Sequence, residues 1–305
     1  MISVVIPLHN KEDSIVSTIK SVLSQTYRNF EIIIINDGST DDSEQKVLSI
    51  NDERIKLFTV PNHGVAAARN LGVEKSSFNL IALLDADDVW EDTFLEEMIG
   101  FISEYPNASL YGCGYFFQLS EHEFQTPNLG LQKEGKLYIE DYFFLAQNNT
   151  LFTSSSAIFR KQDFIEIGRY DTQFSKGEDI DLWIRFGLFK TMAFYNKPLA
   201  VYRWHAENRA MNKTISKEKC LIWNLNKYTD FESSNKLFKN FLDKWRFAHI
   251  ANYMNGNRTE VNEITPLLKS VDLNNYSFVW KIIRYSPQLW QKSIFVVWQF
   301  IRKIK

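Results

Sequence analysis

The chain has 305 residues, 45% of them hydrophobic and 24% charged, a balance that supports a packed core and excludes a disordered chain. Its 35 basic and 37 acidic residues leave a net charge of -2, which excludes a general nucleic-acid binder that works through phosphate attraction. The two cysteines, Cys113 and Cys220, are far apart, so the sequence suggests neither a disulfide framework nor a thiolate metal site; a reducing, cytoplasmic setting is expected.

The chain begins with an apolar run of a few residues and no basic segment before it, which is read as a first strand, Ser3 to Pro7, and not as a signal peptide. A helix is predicted next, capped by Asp13, with Ile15, Ile19, Val22 and Leu23 at helical spacing. Phe30 to Ile35 is a continuous β-branched run, the mark of a strand covered on both faces, and it ends in the turn Asn36-Asp37-Gly38-Ser39. Ile55 to Val60 is a third strand and Gly64 to Lys75 an alanine-rich helix. Leu80 to Leu84 runs as a fourth strand into Asp85-Ala86-Asp87-Asp88, and Asp92 to Glu104 is a helix. This alternation implies an α/β fold with a mostly parallel, Rossmann-like sheet and helices on both faces.

Beyond Ser109 the pattern loosens. Strands are predicted over Leu110 to Leu119, Ala157 to Phe159 and Met192 to Tyr202, a loop over Glu121 to Glu134, and a helix over Ile180 to Phe189. From about Ile215 the chain reads as helices rich in Trp, Phe, Lys and Asn. The division expected is an α/β domain over 1–212, in halves 1–108 and 109–212, followed by a helical region over 213–305; the family resemblance carried by the motifs quoted below implies that the domain is catalytic, with a nucleotide-binding first half and an acceptor-binding second half. No stretch reaches the roughly 18 uncharged apolar residues of a membrane-spanning helix.

Ligands of open α/β sheets bind beyond the carboxyl ends of the strands. Asp37 follows the second strand, and Asp85 and Asp87 follow the fourth. Neighbouring carboxylates repel unless a cation or hydrogen-bond donors offset them, and a hard divalent ion whose shell is completed by a diphosphate meets that need. The bland alternatives are a plain turn at Asp37 and a helix cap at Asp85 and Asp87. A calcium EF-hand is excluded, because Val89 and Trp90 stand where it needs a ligand and a glycine.

Five segments together carry a resemblance: VVIPLHNKEDSIVSTIKSVLSQTYRNFEIIIINDGSTDDS, NHGVAAARNLG, LIALLDADDVW, GEDIDLW and YRWH. In this order, over about the first 210 residues, they resemble the inverting nucleotide-sugar transferases of glycosyltransferase family two, which have the GT-A fold. The resemblance implies that Pro7, His9 and Glu12 line the nucleotide site and that Asp37 accepts the N3–H of a pyrimidine. Asn62, Gly64 and Arg69 would close the pocket, Arg69 offsetting phosphate charge. Asp85 would approach the ribose, while Asp87, with Asp88 and His205 as further candidates, would bind Mn²⁺ or Mg²⁺. Arg203 would stabilise the leaving diphosphate. Asp179 would be the base that deprotonates the acceptor, with Glu178 orienting it or holding the acceptor; the bland alternative is an acidic start to the helix that follows Gly177.

The implied partners are a nucleotide-sugar donor, most naturally a UDP-sugar, and a glycan or lipid-linked glycan acceptor of bacterial polysaccharide or glycolipid synthesis. Beyond Asp272 acidic residues cease, and Lys281, Arg284, Lys292, Arg302, Lys303 and Lys305 are interleaved with Trp280, Trp290, Phe295, Trp298 and Phe300. Such a segment either lies in the inner face of the cytoplasmic membrane or packs its aromatics on the catalytic domain or on a second subunit of an oligomer. A dehydrogenase is set aside because no glycine-rich turn follows the first strand, and a sugar nucleotidyltransferase because the glycine- and basic-rich triphosphate loop is missing. A non-catalytic nucleotide-sugar or glycan-binding protein of the same fold is the remaining rival, and the intact acidic set argues against it.

Overall fold

Apolar runs without alternation make strands that are covered on both faces. In the computed structural model β1 (Ile2–Leu8) and β2 (Phe30–Asp37) are buried at every position. Residues 1–131, 135–147, 149–208, 215–255, 265–273 and 278–285 are described. The chain divides into two units, Met1–Leu221 and Ile222–Lys305.

In the first unit α1 (Ile15–Leu23), α2 (Ser43–Leu48), β3 (Ile55–Val60), α3 (Val65–Lys75) and β4 (Leu80–Leu83) follow β1 and β2 in alternation. They are succeeded by β5 (Val89–Trp90), α4 (Phe94–Glu104), β6 (Leu110–Ser120), β7 (Glu123–Gln125), β8 (Lys136–Ile139) and α5 (Tyr142–Leu145). The unit continues with β9 (Ala157–Arg160), α6 (Lys161–Glu166), α7 (Glu178–Phe189) and β10 (Met192–Arg203). The sheet runs β3-β2-β1-β4-β9-β6-β10-β5, with β7 on β6 and β8 on β10. The first four strands are mutually parallel. β9 is antiparallel to both its neighbours, and β6 and β10 are parallel again.

α1 is amphipathic, and Ile15, Ile19 and Val22 are fully buried; burying each such side chain stabilises the fold by roughly 1.5–3 kcal/mol. Its cap corrects the expectation at Asp13. Ser14 holds the position, and its own side chain does not cap the helix. Glu207 supplies the acceptor instead, taking Ser14 N–H at 3.1 Å and Ser14 Oγ–H at 2.6 Å. The loop expected over 121–134 contains β7, and the helix expected from Ile180 begins two residues earlier, so Glu178 and Asp179 lie in its first turn. Elements β5, β8, α5 and α6 carry no period in the sequence long enough to announce them.

The second unit contains α8 (Thr229–Ser234), α9 (Lys236–Asn255), α10 (Thr265–Ser270) and α11 (Phe278–Tyr285). Leu242, Ile250, Leu268, Trp280 and Ile283 form its core. Arg246 forks onto Glu232 at 2.6 and 2.8 Å and so ties α9 to α8. Trp280 packs edge-on against Phe247, 4.5 Å between centroids, which places this one tail aromatic in a protein core. Trp290, Lys292, Phe295, Trp298, Phe300, Arg302, Lys303 and Lys305 lie outside the described residues. Among the described residues no helix is long and apolar enough to cross a membrane.

Candidate active site

β2 delivers Asp37 at its end, 3% exposed. Its carboxylate accepts two backbone N–H groups, from His63 and from Gly64, both at 2.8 Å. It therefore anchors the segment that leads into α3. Gly38 must be glycine for this approach: its φ is +69°, and a Cβ there would stand 2.8 Å from the Asn62 nitrogen. His9 Nδ1 sits 2.9 Å from the Asp37 carbonyl, and the Asn62 amide nitrogen is 3.1 Å from the same ring atom. Glu12 accepts the Asp42 N–H at 3.0 Å. Pro7 is buried in β1 opposite Ile35. These sequence-predicted residues thus meet at one end of β1 and β2.

The carboxylates after β4 have three different surroundings. Asp85 is partly exposed and receives an N–H of Arg69 at 2.7 Å. Asp87 receives the Lys11 ammonium at 2.6 Å, and the same ammonium donates to the Glu207 carbonyl. Asp88 is 2% exposed; one oxygen accepts Arg203 N–H at 3.0 Å and the other Ser155 Oγ–H at 2.5 Å. Through these two bonds Asp88 pins the β4 end to β10 and to the turn at Ser154–Ser156. His205 is exposed and makes no hydrogen bond among the described residues. The side chain of Arg203 donates to Ser17 Oγ at 2.6 Å. Among the described residues no three His, Cys, Asp or Glu side chains converge as a ready metal cage.

Gly177 adopts the left-handed conformation, φ +82°, and turns the chain into α7. Asp179 accepts the Ile180 N–H at 2.8 Å. Glu178 is buried and takes the other arm of Arg69 at 3.0 Å. Arg69 is 4% exposed, and its guanidinium binds the carboxylates of Asp85 and Glu178. Sequence reasoning also missed Lys11 and Glu207. Lys11 stood within the loop after the first strand and Glu207 two residues past His205, but nothing local marked either.

The electrostatics follow the burial. Burial pushes the Asp179 carboxyl up to about 7, with the neighbouring Glu178 charge adding to the rise and Arg69 opposing it. Burial also raises Asp87, despite Lys11 beside it, and Asp85 adds to the rise. Asp88 is raised well above the usual carboxylate range by burial and then by Asp87 and Asp85. Lys11 and Arg69 are the cations that meet this corner, at Asp87 and at Asp85.

The glycosyl transferase family 2 profile matches residues 3–168, more than half of the chain. The chain belongs to glycosyl transferase family 2. It is 30% identical over 220 residues to an uncharacterized glycosyltransferase of Rickettsia prowazekii, covering 70% of this chain and 68% of that one. Glycosyltransferase GlyA of Streptococcus pneumoniae is 33% identical over 212 residues, 66% of this chain and 30% of that one. The UDP-Glc:alpha-D-GlcNAc-diphosphoundecaprenol beta-1,3-glucosyltransferase WfgD of Escherichia coli is 39% identical over 113 residues, 37% of this chain and 45% of that one. The chain spans less than a third of the length of several curated relatives, for example 29% of a Rickettsia bellii glycosyltransferase. Among solved structures, S. aureus TarS 1-349 in complex with UDP-GlcNAc superposes with a TM-score of 0.73 at 15% identity, over 89% of this chain and 81% of that one. The fold is therefore GT-A.

Proposed function

We propose that this transferase moves a sugar from a UDP-sugar to a hydroxyl of a glycan or lipid-linked glycan, with inversion, in bacterial polysaccharide or glycolipid synthesis. The observation that carries the reading is the placement of Asp179 in the first turn of α7, beside a Glu178 that shares Arg69 with the donor-side Asp85. A base with a pKa near neutrality takes a hydroxyl proton efficiently at physiological pH. In the step proposed, Asp179 takes the proton of the acceptor hydroxyl as that oxygen bonds to the anomeric carbon. The bond from that carbon to the diphosphate breaks on the opposite face, and UDP leaves with the electron pair. One displacement inverts the anomeric carbon, and no covalent enzyme intermediate is required.

Asp37 and the residues it anchors, with His9, Glu12 and Pro7, would form the pyrimidine end of the donor site. Asp87 would be the residue to hold a hard divalent cation: it is partly exposed and already accepts a cation, the Lys11 ammonium. Asp87, next to Asp85, would hold Mn²⁺ or Mg²⁺ in the manner of sites that use one or two carboxylates with substrate phosphates completing the shell. When bound, such an ion offsets the charge that develops on the departing diphosphate. Arg203, redirected from Ser17, would serve the same charge. WfgD is named for a diphosphoundecaprenol acceptor, which supports a lipid-linked acceptor here and peripheral membrane contact through the basic, aromatic residues of the C-terminal region.

Calorimetric titration with UDP and with a purine diphosphate, each with and without Mn²⁺, tests the donor assignment. UDP bound at least about tenfold more tightly, and only with metal, is expected from a carboxylate that reads N3–H and a cation held at Asp87. Equal affinity for both nucleotides would contradict it.

A further inference from the structure

Arg69 is a buried cation that joins two carboxylates. Its guanidinium and Glu178 are removed from water together while Asp85 stays partly exposed, and its Nε has no partner among the described residues. Buried ion clusters of this kind return less than their desolvation takes, and an apolar replacement of similar size is commonly as stable. Fold stability therefore does not account for Arg69, and the identity of its partners does. Asp85 lies two residues past the end of β4 in the donor half, and Glu178 opens α7 of the acceptor half, 109 residues along the chain from Arg69.

The helix that carries Arg69 is seated without play. Three residues further on, Gly72 lies so close to the sheet that a Cβ there would stand 2.3 Å from Val5 Cγ1. The next residue, Asn70, exchanges two hydrogen bonds with the backbone of Tyr170, at 2.9 and 3.0 Å. The Tyr170 ring lies under the guanidinium, 5.3 Å from it. Adjacent side chains of α3 thus grip the acceptor half twice, while Asp37 anchors the entry to the same helix.

We infer that Arg69 is a positioning residue whose two-armed guanidinium holds Asp85 and Glu178 at a fixed separation, and so sets the base at α7 against the donor. The inference rests on the reading of Asp179 as base. A planar fork can bind two carboxylates at once in fixed directions; a lysine ammonium is a single point and cannot keep both in the same geometry.

Two measurements on the full chain test it. The first needs no ligand: urea unfolding of wild type, Asp85→Asn, Glu178→Gln and the double variant. Two carboxylates that share one guanidinium should give effects on the folding equilibrium that depart from additivity by about fivefold or more. Additive effects would overturn the physical link. The second is kinetic: Arg69→Lys should lower kcat by about 10²-fold, as a small misplacement of reacting groups does, with KM for the donor changed less than about tenfold. A folded Arg69→Lys protein with wild-type kcat and a lower melting temperature would reduce Arg69 to a structural residue and overturn the inference. Should Arg69→Lys not fold, Arg69→Met with Glu178→Gln removes one charge of each sign and carries the kinetic test with the same expected loss. Absence of transfer by the wild-type chain with every nucleotide sugar would defeat the functional reading instead, and the unfolding cycle would still decide the link.

Discussion

Replacing Asp179 with Asn should produce a protein that is more stable and almost inactive. In the wild type the folded carboxyl is pushed from 3.8 up to about 7, by burial first and by the Glu178 charge second. A folded-state pKa above the unfolded value means that the native state holds its proton more tightly between these two pH values. The associated stability is complete below about pH 4 and is lost as pH rises through about 7. The gap of about three units corresponds to at most about 4 kcal/mol at pH 8, less to the extent that solvent reaches this partly exposed side chain. Asn cannot ionise, keeps an acceptor for the Ile180 N–H, and removes this penalty. Thermal unfolding at pH 8 should therefore show a higher melting temperature for Asp179→Asn, with the two proteins converging near pH 4. Turnover should fall by about 10²–10⁴-fold, the usual worth of a general base, while UDP affinity stays near the wild-type value. The same pKa predicts that wild-type kcat/KM falls about tenfold per pH unit below pH 7. A variant no more stable at pH 8, together with a wild-type acid limb near pH 4, would refute the reasoning.

Asp87→Ala, or a chelator added to the wild type, should abolish metal-dependent nucleotide binding in calorimetry, because the proposed cation site then lacks its main oxygen ligand or its ion. Asp37→Ala releases the His63 and Gly64 N–H groups and should weaken UDP binding about tenfold while kcat changes less than about threefold, the pattern of lost ground-state binding. Deleting the residues after Tyr285 should spare the second unit's core, since Trp280 and Ile283 remain, and should lower co-flotation with vesicles of anionic lipid. Unchanged flotation would show that this segment packs on protein.

The positions of Asp37 and Asp85 were legible because their signals are local. Apolar runs that lead into Asp37 and Asp85 place both carboxylates at the same sheet edge, since parallel strands point the same way. Glu178 and Asp179 were legible as a pair, with an acidic helix start after Gly177 as one reading, and they do form the first turn of α7, which starts from the left-handed Gly177. What escaped was contact between distant segments. Lys11 meets Asp87 across 76 residues, Ser155 meets Asp88 across 67, and Glu207 caps Ser14 across 193. No periodicity encodes these pairings. Asp88 illustrates the consequence: adjacent to Asp87 in sequence, it points into the core, where Ser155 and the Arg203 N–H take both its oxygens, while its neighbour stays partly exposed.

The most direct test of the central claim is the configuration of the transferred sugar. Proton NMR of the product formed from an α-linked UDP-sugar should show only the β-linked anomeric signal, as a single displacement assisted by Asp179 requires. An α-linked product would mean a double displacement or an internal return, and would contradict the mechanism.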